Sequence, residues 1–252
     1  MPKVWFVAMK RLFVDLHLRP PINQIEKVRN LVEKSAELGY SAVGITLPIE
    51  AKGKDVEVIK KICEDLGLDL VTRIDLAPKS ARDLLSILKS VRRRFEVIAV
   101  QCSTKEVAIQ AAKDRRVDLL LFSSNNPKKH FFSTSEAKLA SEKNSALEIN
   151  LAPLLYLEGT PRIRLMSLLR RDVLIARKFK VPIVLSSGCD SPHLLRKPED
   201  YMFLAFLIGL DPCAARESLS SNPMNIIERN RRKLSSNYVC PGVYIVKRGK
   251  DC

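Results

Sequence analysis

Residues 41–77 read SAVGITLPIEAKGKDVEVIKKICEDLGLDLVTRIDLA, and this stretch decides the fold. It opens on a short apolar run, SAVGITLP, which predicts a strand. An amphipathic segment, DVEVIKKICEDLG, follows and predicts a helix. That helix stops at Gly67, because glycine accepts the positive φ that a helix end requires. A second apolar run, LDLVTRIDLA, completes a strand–helix–strand unit, the signature of parallel pairing.

The unit repeats outward in both directions. RLFVDLHL (11–18) precedes NQIEKVRNLVEKSAELG (23–39), which stops at Gly39. Downstream, ARDLLSILKSVRRR (81–94), FEVIAVQCS (95–103), KEVAIQAAKDRR (105–116), VDLLLFSS (117–124) and TSEAKLASEKNS (134–145) continue the alternation. ALEINLAPLLY (146–156) with PRIRLMSLLRRDVLIARKF (161–179), then VPIVLSSGC (181–189) with EDYMFLAFLIGL (199–210), complete seven strand–helix units. Seven units in 252 residues predict an α/β fold of the TIM-like (β/α) barrel type, with extra C-terminal helices. A doubly wound sheet is the alternative, but neither GxGxxG nor GxxxxGK[ST] occurs. No Pro/Gly/Ser linker divides the chain, so 1–252 is read as a single barrel domain. Residues 211–235 read as two short helices broken near Asn222-Pro223. The stretch 236–252 reads as an irregular tail, with a short strand at 243–246.

Composition bounds the function. Hydrophobic residues make up 46%, enough for a large core. No apolar run reaches the roughly 20 residues that span a bilayer, and no cleavable leader is evident at the N-terminus. Six cysteines are scattered without a CxxC pair, which points to reduced thiols in the cytoplasm. The net charge of +15 favours a polyanionic partner. A membrane surface is the weaker option, since no basic segment carries an aromatic apolar face; nucleic acid is the stronger.

In a barrel, function gathers at the C-terminal strand ends. Alternation puts Asp15, His17 and Arg19 on one face of the first strand. Arg73 and Asp75 share a face of the third, Gln101 ends the fourth, and the sixth supplies Glu148 and Asn150. Ser186, Ser187, Asp190 and His193 follow the seventh. His17, Glu148, Asp190 and His193 carry metal-ligating atoms. His130, in the 125–132 loop, is too far along the chain to be placed. Against a metal stand Arg19 and Arg73, which would repel the ion. The reading adopted is a barrel-top polar network of Asp15, His17, Arg19, Arg73 and Glu148, with Asp15 and Glu148 paired to the arginines, no bound metal and no catalytic residue. Ser186 and Ser187 are expected to satisfy backbone groups, since no G-x-S-x-G elbow occurs.

The positive charge is clustered. Arg92, Arg93 and Arg94 end one helix, and Arg115 and Arg116 end the next. The helix over 161–179, with the residue after it, carries Arg162, Arg164, Arg170, Arg171, Arg177, Lys178 and Lys180 against one acid, Asp172. Arg164, Arg171 and Lys178 form one stripe, with Arg170 and Arg177 beside it. Leu165, Met166, Leu169, Val173 and Ala176 face the core. Like charges one turn apart destabilise a helix unless an anion covers them. Arginine suits phosphate oxygens. These twelve basic residues are the expected RNA-binding surface. A further group comprises Arg229, Arg231, Arg232 and Lys233, with Lys247, Arg248 and Lys250 in the tail. Exposed aromatics for base stacking are lacking, Phe131 and Phe132 being the only adjacent pair outside a regular element. Backbone and shape recognition of folded RNA is therefore expected.

In order and spacing, several segments together resemble the ribonuclease P protein component 3 family, the barrel subunit of archaeal and eukaryotic ribonuclease P. They are FVDLHLR (13–19), VEKSAELGYSAVGI (32–45), TRI (72–74), VDLLLFSS, ALEINLAPLL (146–155), VPIVLSSGC and LIGLDPCAARESLSSNP (207–223). His17 departs from the resemblance, standing where that family often has Asp. The family is related to the PHP phosphoesterases, whose first strand ends D-L-H-x-H; Arg19 stands where the second His would be. The resemblance implies a former metal-site strand now serving as a polar plug, with a PHP-type metal-dependent phosphoesterase as the alternative. It also implies a non-catalytic subunit that binds and stabilises ribonuclease P RNA while the 5′ leader of precursor tRNA is removed. The RNA is then the catalyst and requires Mg²⁺, and a small RRM-like protein subunit is the protein partner.

Overall fold

A computed structural model describes residues 12–122, 130, 132–240 and 243–246. Strands β1 (Phe13–Leu18), β2 (Tyr40–Thr46), β3 (Asp69–Leu76), β4 (Val97–Gln101), β5 (Leu119–Leu121), β6 (Ala146–Asn150) and β7 (Ile183–Ser186) form one parallel sheet in chain order. The helices between them are α1 (Ile25–Glu37), α2 (Gly53–Asp65), α3 (Ala81–Val91), α4 (Lys105–Lys113), α5 (Thr134–Lys143), α6 (Ala152–Tyr156) and α7 (Gly159–Lys178). After β7 come α8 (Pro198–Leu207), α9 (Pro212–Leu219) and α10 (Ser221–Leu234). The fold is a nearly closed seven-stranded α/β barrel of the TIM-like type.

Closure is made at the C-terminal strand ends. Arg19 N–H donates to the Cys189 carbonyl at 2.8 Å, and Gly188 N–H to that of His17 at 3.0 Å. Lower down, α9 and α10 pack against β1 and β7, and the Asn222 amide donates to the Ile183 carbonyl at 2.9 Å. Ile226 and Ile227 of α10 join Val14, Leu16, Val71, Val97, Leu119 and Val184 in the barrel interior. The tail helices are therefore the floor of the barrel. The break between them falls at Ser220, and Pro223 sits in the first turn of α10, where no helical N–H bond is lost.

Two local readings need correction. The register of β1 slips: Asp15 stands opposite Val43 but Leu18 opposite Ile45, so three residues of β1 match two of β2. The cause is local. The Asp15 carboxylate accepts the His17 backbone N–H at 3.0 Å, replacing a ladder bond and making a bulge. Asp15, His17 and Arg19 therefore do not share a face. The bulge also brings the Leu16 carbonyl against β2, and only a residue without Cβ fits there: a Cβ on Gly44 would lie 2.3 Å from that oxygen. In the second, the short strand expected at 243–246 is present as β9 (Val243–Tyr244), but the stretch before it is a strand too, β8 (Tyr238–Cys240), and the two form a short antiparallel hairpin. Lys247, Arg248, Lys250 and Phe131 lie outside the described residues.

Candidate functional site: a charge-compensated mouth and a basic exterior

At the C-terminal strand ends, β1, β3 and β6 bring His17, Arg73, Asp75, Glu148 and Asn150 together. Arg73 is wholly buried. Its Nη1 and Nη2 each donate to a Glu148 oxygen at 2.6 Å, and its Nε to Asp75 at 2.6 Å. Nη1 also reaches the Leu16 carbonyl freed by the bulge, at 2.9 Å. His17 is equally buried; its Nε2 lies 2.8 Å from Asp75 and its Nδ1 2.9 Å from the Asn150 side-chain oxygen. Ser186 donates to Glu148 at 2.7 Å rather than to backbone, whereas Ser187 reaches the His17 carbonyl at 3.3 Å. A Cβ on Gly188, which has φ of +67°, would meet the Asn150 side chain at 2.7 Å.

The predicted pairing is thus rearranged. Arg73 takes Glu148 and Asp75. Arg19 is exposed and donates to the Gly188 carbonyl at 2.6 and 3.1 Å. Asp15 has no cationic arginine beside it; it lies at the β1–β7 seam and accepts the backbone N–H groups of His17 and Ser187. Val14 and Leu16 face the interior, so Asp15 between them points outward, and the slip beyond Asp15 instead brings His17 to the mouth.

The titration follows from this geometry. Burial pushes Asp15 up, and its hydrogen bonds only partly oppose that. Burial also raises Asp75 and Glu148, but Arg73, then His17, outweigh it and hold both below the carboxylate range. Groups with depressed folded pKa stabilise above their ordinary values of 3.8 and 4.5, and that contribution is lost as pH falls through the folded values. Asp15 has the opposite sign: its contribution is complete below 3.8 and lost as pH rises through its folded value. With two groups against one, the thermal midpoint, followed by circular dichroism, is expected to fall between about pH 5 and pH 2. In Glu148→Gln that fall is expected to be smaller; an identical fall would mean that Glu148 is not held as an ion.

A cavity of about 410 Å³ opens above this cluster, lined by His17, Arg19, Asp75, Gln101, Asn150 and Asp190 among others. His130 reaches it too, bonded to the buried Asp172 of α7 and 5.4 Å from the Phe122 ring. His193 is exposed and outside the lining. The residues do not fit a divalent-metal centre. A buried guanidinium already occupies both Glu148 oxygens and one Asp75 oxygen, and a cation beside it would be repelled.

The basic residues divide into two kinds. Arg162 donates to the Leu157 carbonyl, Arg170 to that of Leu207 at 2.7 Å, and Arg177 pairs with Asp211 at 2.9 Å. Arg170 therefore caps the last turn of α8. Arg94 holds the Ile49 carbonyl at 2.8 Å, Arg116 holds Asp114, and Arg92 and Arg229 share the buried Asp118. Arg171 stands 3.6 Å from Asp172, and Lys178 lies over the Phe179 ring. Among the described residues, Arg93, Arg115, Arg164 and Lys180 have no such internal partner, and all four are exposed. Sequence periodicity found the stripes but could not see which carbonyls lie beside them. Arg92 is the C-cap of α3, its N–H bonded to the Leu88 carbonyl, with Arg93 and Arg94 in the turn after it, and Arg115 and Arg116 lie in the turn after α4.

Seven parallel strands, a mouth filled by a buried guanidinium and a basic exterior define a β/α-barrel protein, and among the described residues no cluster of three or more His, Cys, Asp or Glu is placed to hold a metal ion. The sequence profile described as RNase P subunit p30 matches residues 12–235. The chain belongs to that family. Ribonuclease P protein component 3 of Methanosarcina mazei is 30% identical over 91% of this chain and 92% of its own length. Its counterpart in Methanococcoides burtonii is 27% identical over 94% and 95%. In fold, the chain is similar to one in the cryo-EM structure of archaeal ribonuclease P with mature tRNA, with TM-score 0.80, 24% identity and coverage of 94% and 99%. It is also similar, at TM-score 0.56 and 10% identity over 88% of this chain and 75% of the other, to an amidohydrolase.

Proposed function

We propose that this chain is the barrel subunit of a ribonuclease P, binding and stabilising the catalytic RNA while the 5′ leader of precursor tRNA is removed. The observation that carries the reading is the family match, which spans the whole barrel and its floor helices. The geometry supports a non-catalytic role: the mouth residues are engaged with one another, and the charge lies outside. Catalysis then belongs to the RNA and its Mg²⁺, and precursor tRNA meets the assembled particle. The protein partner in this reading is a small RRM-like subunit. Phe203, Phe206 and Leu207 of α8 are exposed large apolar side chains, the kind that a protein surface covers. No helix among the described residues is long and apolar enough to cross a membrane. A role in maturing precursor tRNA supports a cytoplasmic location for the particle.

The test is precursor-tRNA cleavage by the cognate ribonuclease P RNA and small subunit at modest Mg²⁺, with and without this chain, beside an arm lacking RNA. Cleavage is expected to rise only when chain and RNA are both present. Cleavage in the arm lacking RNA, or no gain from adding the chain, would overturn the reading.

A further inference from the structure

The barrel end opposite the mouth holds a cavity of about 520 Å³. Arg92 and Arg93 enter it from the turn after α3, Arg115 and Arg116 from the turn after α4, and Lys233 from the last turn of α10. Tyr238 of β8 lies alongside. Five of its nine lining residues are cationic and none is acidic. Barrel sites usually sit at the other face, so this cluster is not explained by the fold.

The nearby acids are already engaged. Asp118 is held by Arg92 and Arg229, and Asp114 by Arg116. Arg93, Arg115 and Lys233 have no carboxylate within ion-pair distance among the described residues. The Arg92 Nη2 is buried with no acceptor, a donor left unsatisfied at the cavity wall. Lys233 reports the same field: burial, then the like charges of Arg229, Arg92 and Arg115, lower its pKa, and Asp118 opposes them. Cations gathered this way repel one another unless an anion joins them. A cavity of this volume is far larger than one phosphate group, and its cations come from three separate elements. Arginine predominates, and its planar fork matches phosphate oxygens.

We propose that this floor cavity is a phosphate-backbone site that holds a strand of RNA on the face opposite the mouth. The proposal rests on the ribonuclease P reading and adds the face that the RNA meets. α7 then contributes less, because several of its arginines are engaged within the chain.

The experiment measures binding of the full chain to a labelled transcript of the cognate ribonuclease P RNA over a series of salt concentrations. One variant carries Arg93→Gln, Arg115→Gln and Lys233→Gln; a second carries Arg164→Gln and Lys180→Gln on and beside α7. None of these side chains has an internal ion pair, so both variants are expected to keep the wild-type thermal midpoint. The floor variant is expected to lose roughly a hundredfold in affinity near physiological salt, and its salt slope to become shallower by about two to three. The α7 variant is expected to lose only about threefold. A steep wild-type slope that the floor variant leaves unchanged would overturn the floor site and leave the subunit reading standing. A flat wild-type slope would overturn both. A polyglutamate peptide competing as well as RNA would assign the cavity to an acidic protein segment and overturn the proposal.

Discussion

Glu148→Ala is expected to cost about 3–5 kcal/mol of stability, because it strands a buried guanidinium. In a chain of this size that lowers the thermal midpoint by roughly 10 °C. Arg73 is fully buried, and Glu148 takes two of its donors at 2.6 Å each. Asp75 remains, but it reaches only Nε and is partly exposed at the rim. Removing Arg73 instead leaves two carboxylates and His17 facing one another, so Arg73→Met is expected to cost about as much. Replacing both partners by apolar residues of similar size, Arg73→Met with Glu148→Leu, is expected to recover most of the loss, since no unpaired charge remains. A functional corollary follows. If the mouth is structural, the double variant still supports precursor-tRNA cleavage in the reconstituted particle. Single-variant losses below about 1 kcal/mol would mean that the pair does not secure the barrel top.

Gly44→Ala is expected to destabilise by about 3 kcal/mol, the upper end of what overpacking costs. The added Cβ would stand 2.3 Å from the Leu16 carbonyl oxygen, and that oxygen is backbone. Relief requires moving β1, and with it the carbonyl that accepts Arg73. Gly39→Ala is the internal comparison. Gly39 has φ of +88° and open space around it, so only conformational strain applies, about 1 kcal/mol. Urea unfolding with an unchanged m-value measures both. Equal losses at the two sites would show that the bulge in β1 yields freely to the added methyl.

The resemblance and the repeat of strand and helix are enough to point to the family and the barrel. Seven apolar runs became seven parallel strands, and Gly39 and Gly67 stand at positive φ just past α1 and α2. A shared face was legible where the strand is regular, as for Arg73 with Asp75. They were not legible in β1, where a side chain bonding its own backbone shifts the register. The apolar–polar alternation from residue 14 to 19 gives no sign of that slip. Asn150 and Asp75 were visible as polar strand-end residues, but nothing local marks them as the partners of His17. Likewise the arginine stripe of α7 was plain, while the α8 carbonyls that Arg170 and the neighbouring loop present are distant in sequence.

The sequence by itself determined what depends on short-range periodicity: strand, helix, parallel order, one basic exterior and one polar strand-end set. The tertiary structure alone decided which charges meet. Arg73 finds Glu148 across 75 residues, and the turns after α3 and α4 meet Lys233 only because α10 folds back beneath the barrel. The reason is physical. Periodicity reports which side of an element is apolar, a local quantity. Charge pairing depends on distance in space, which the closing of the barrel sets.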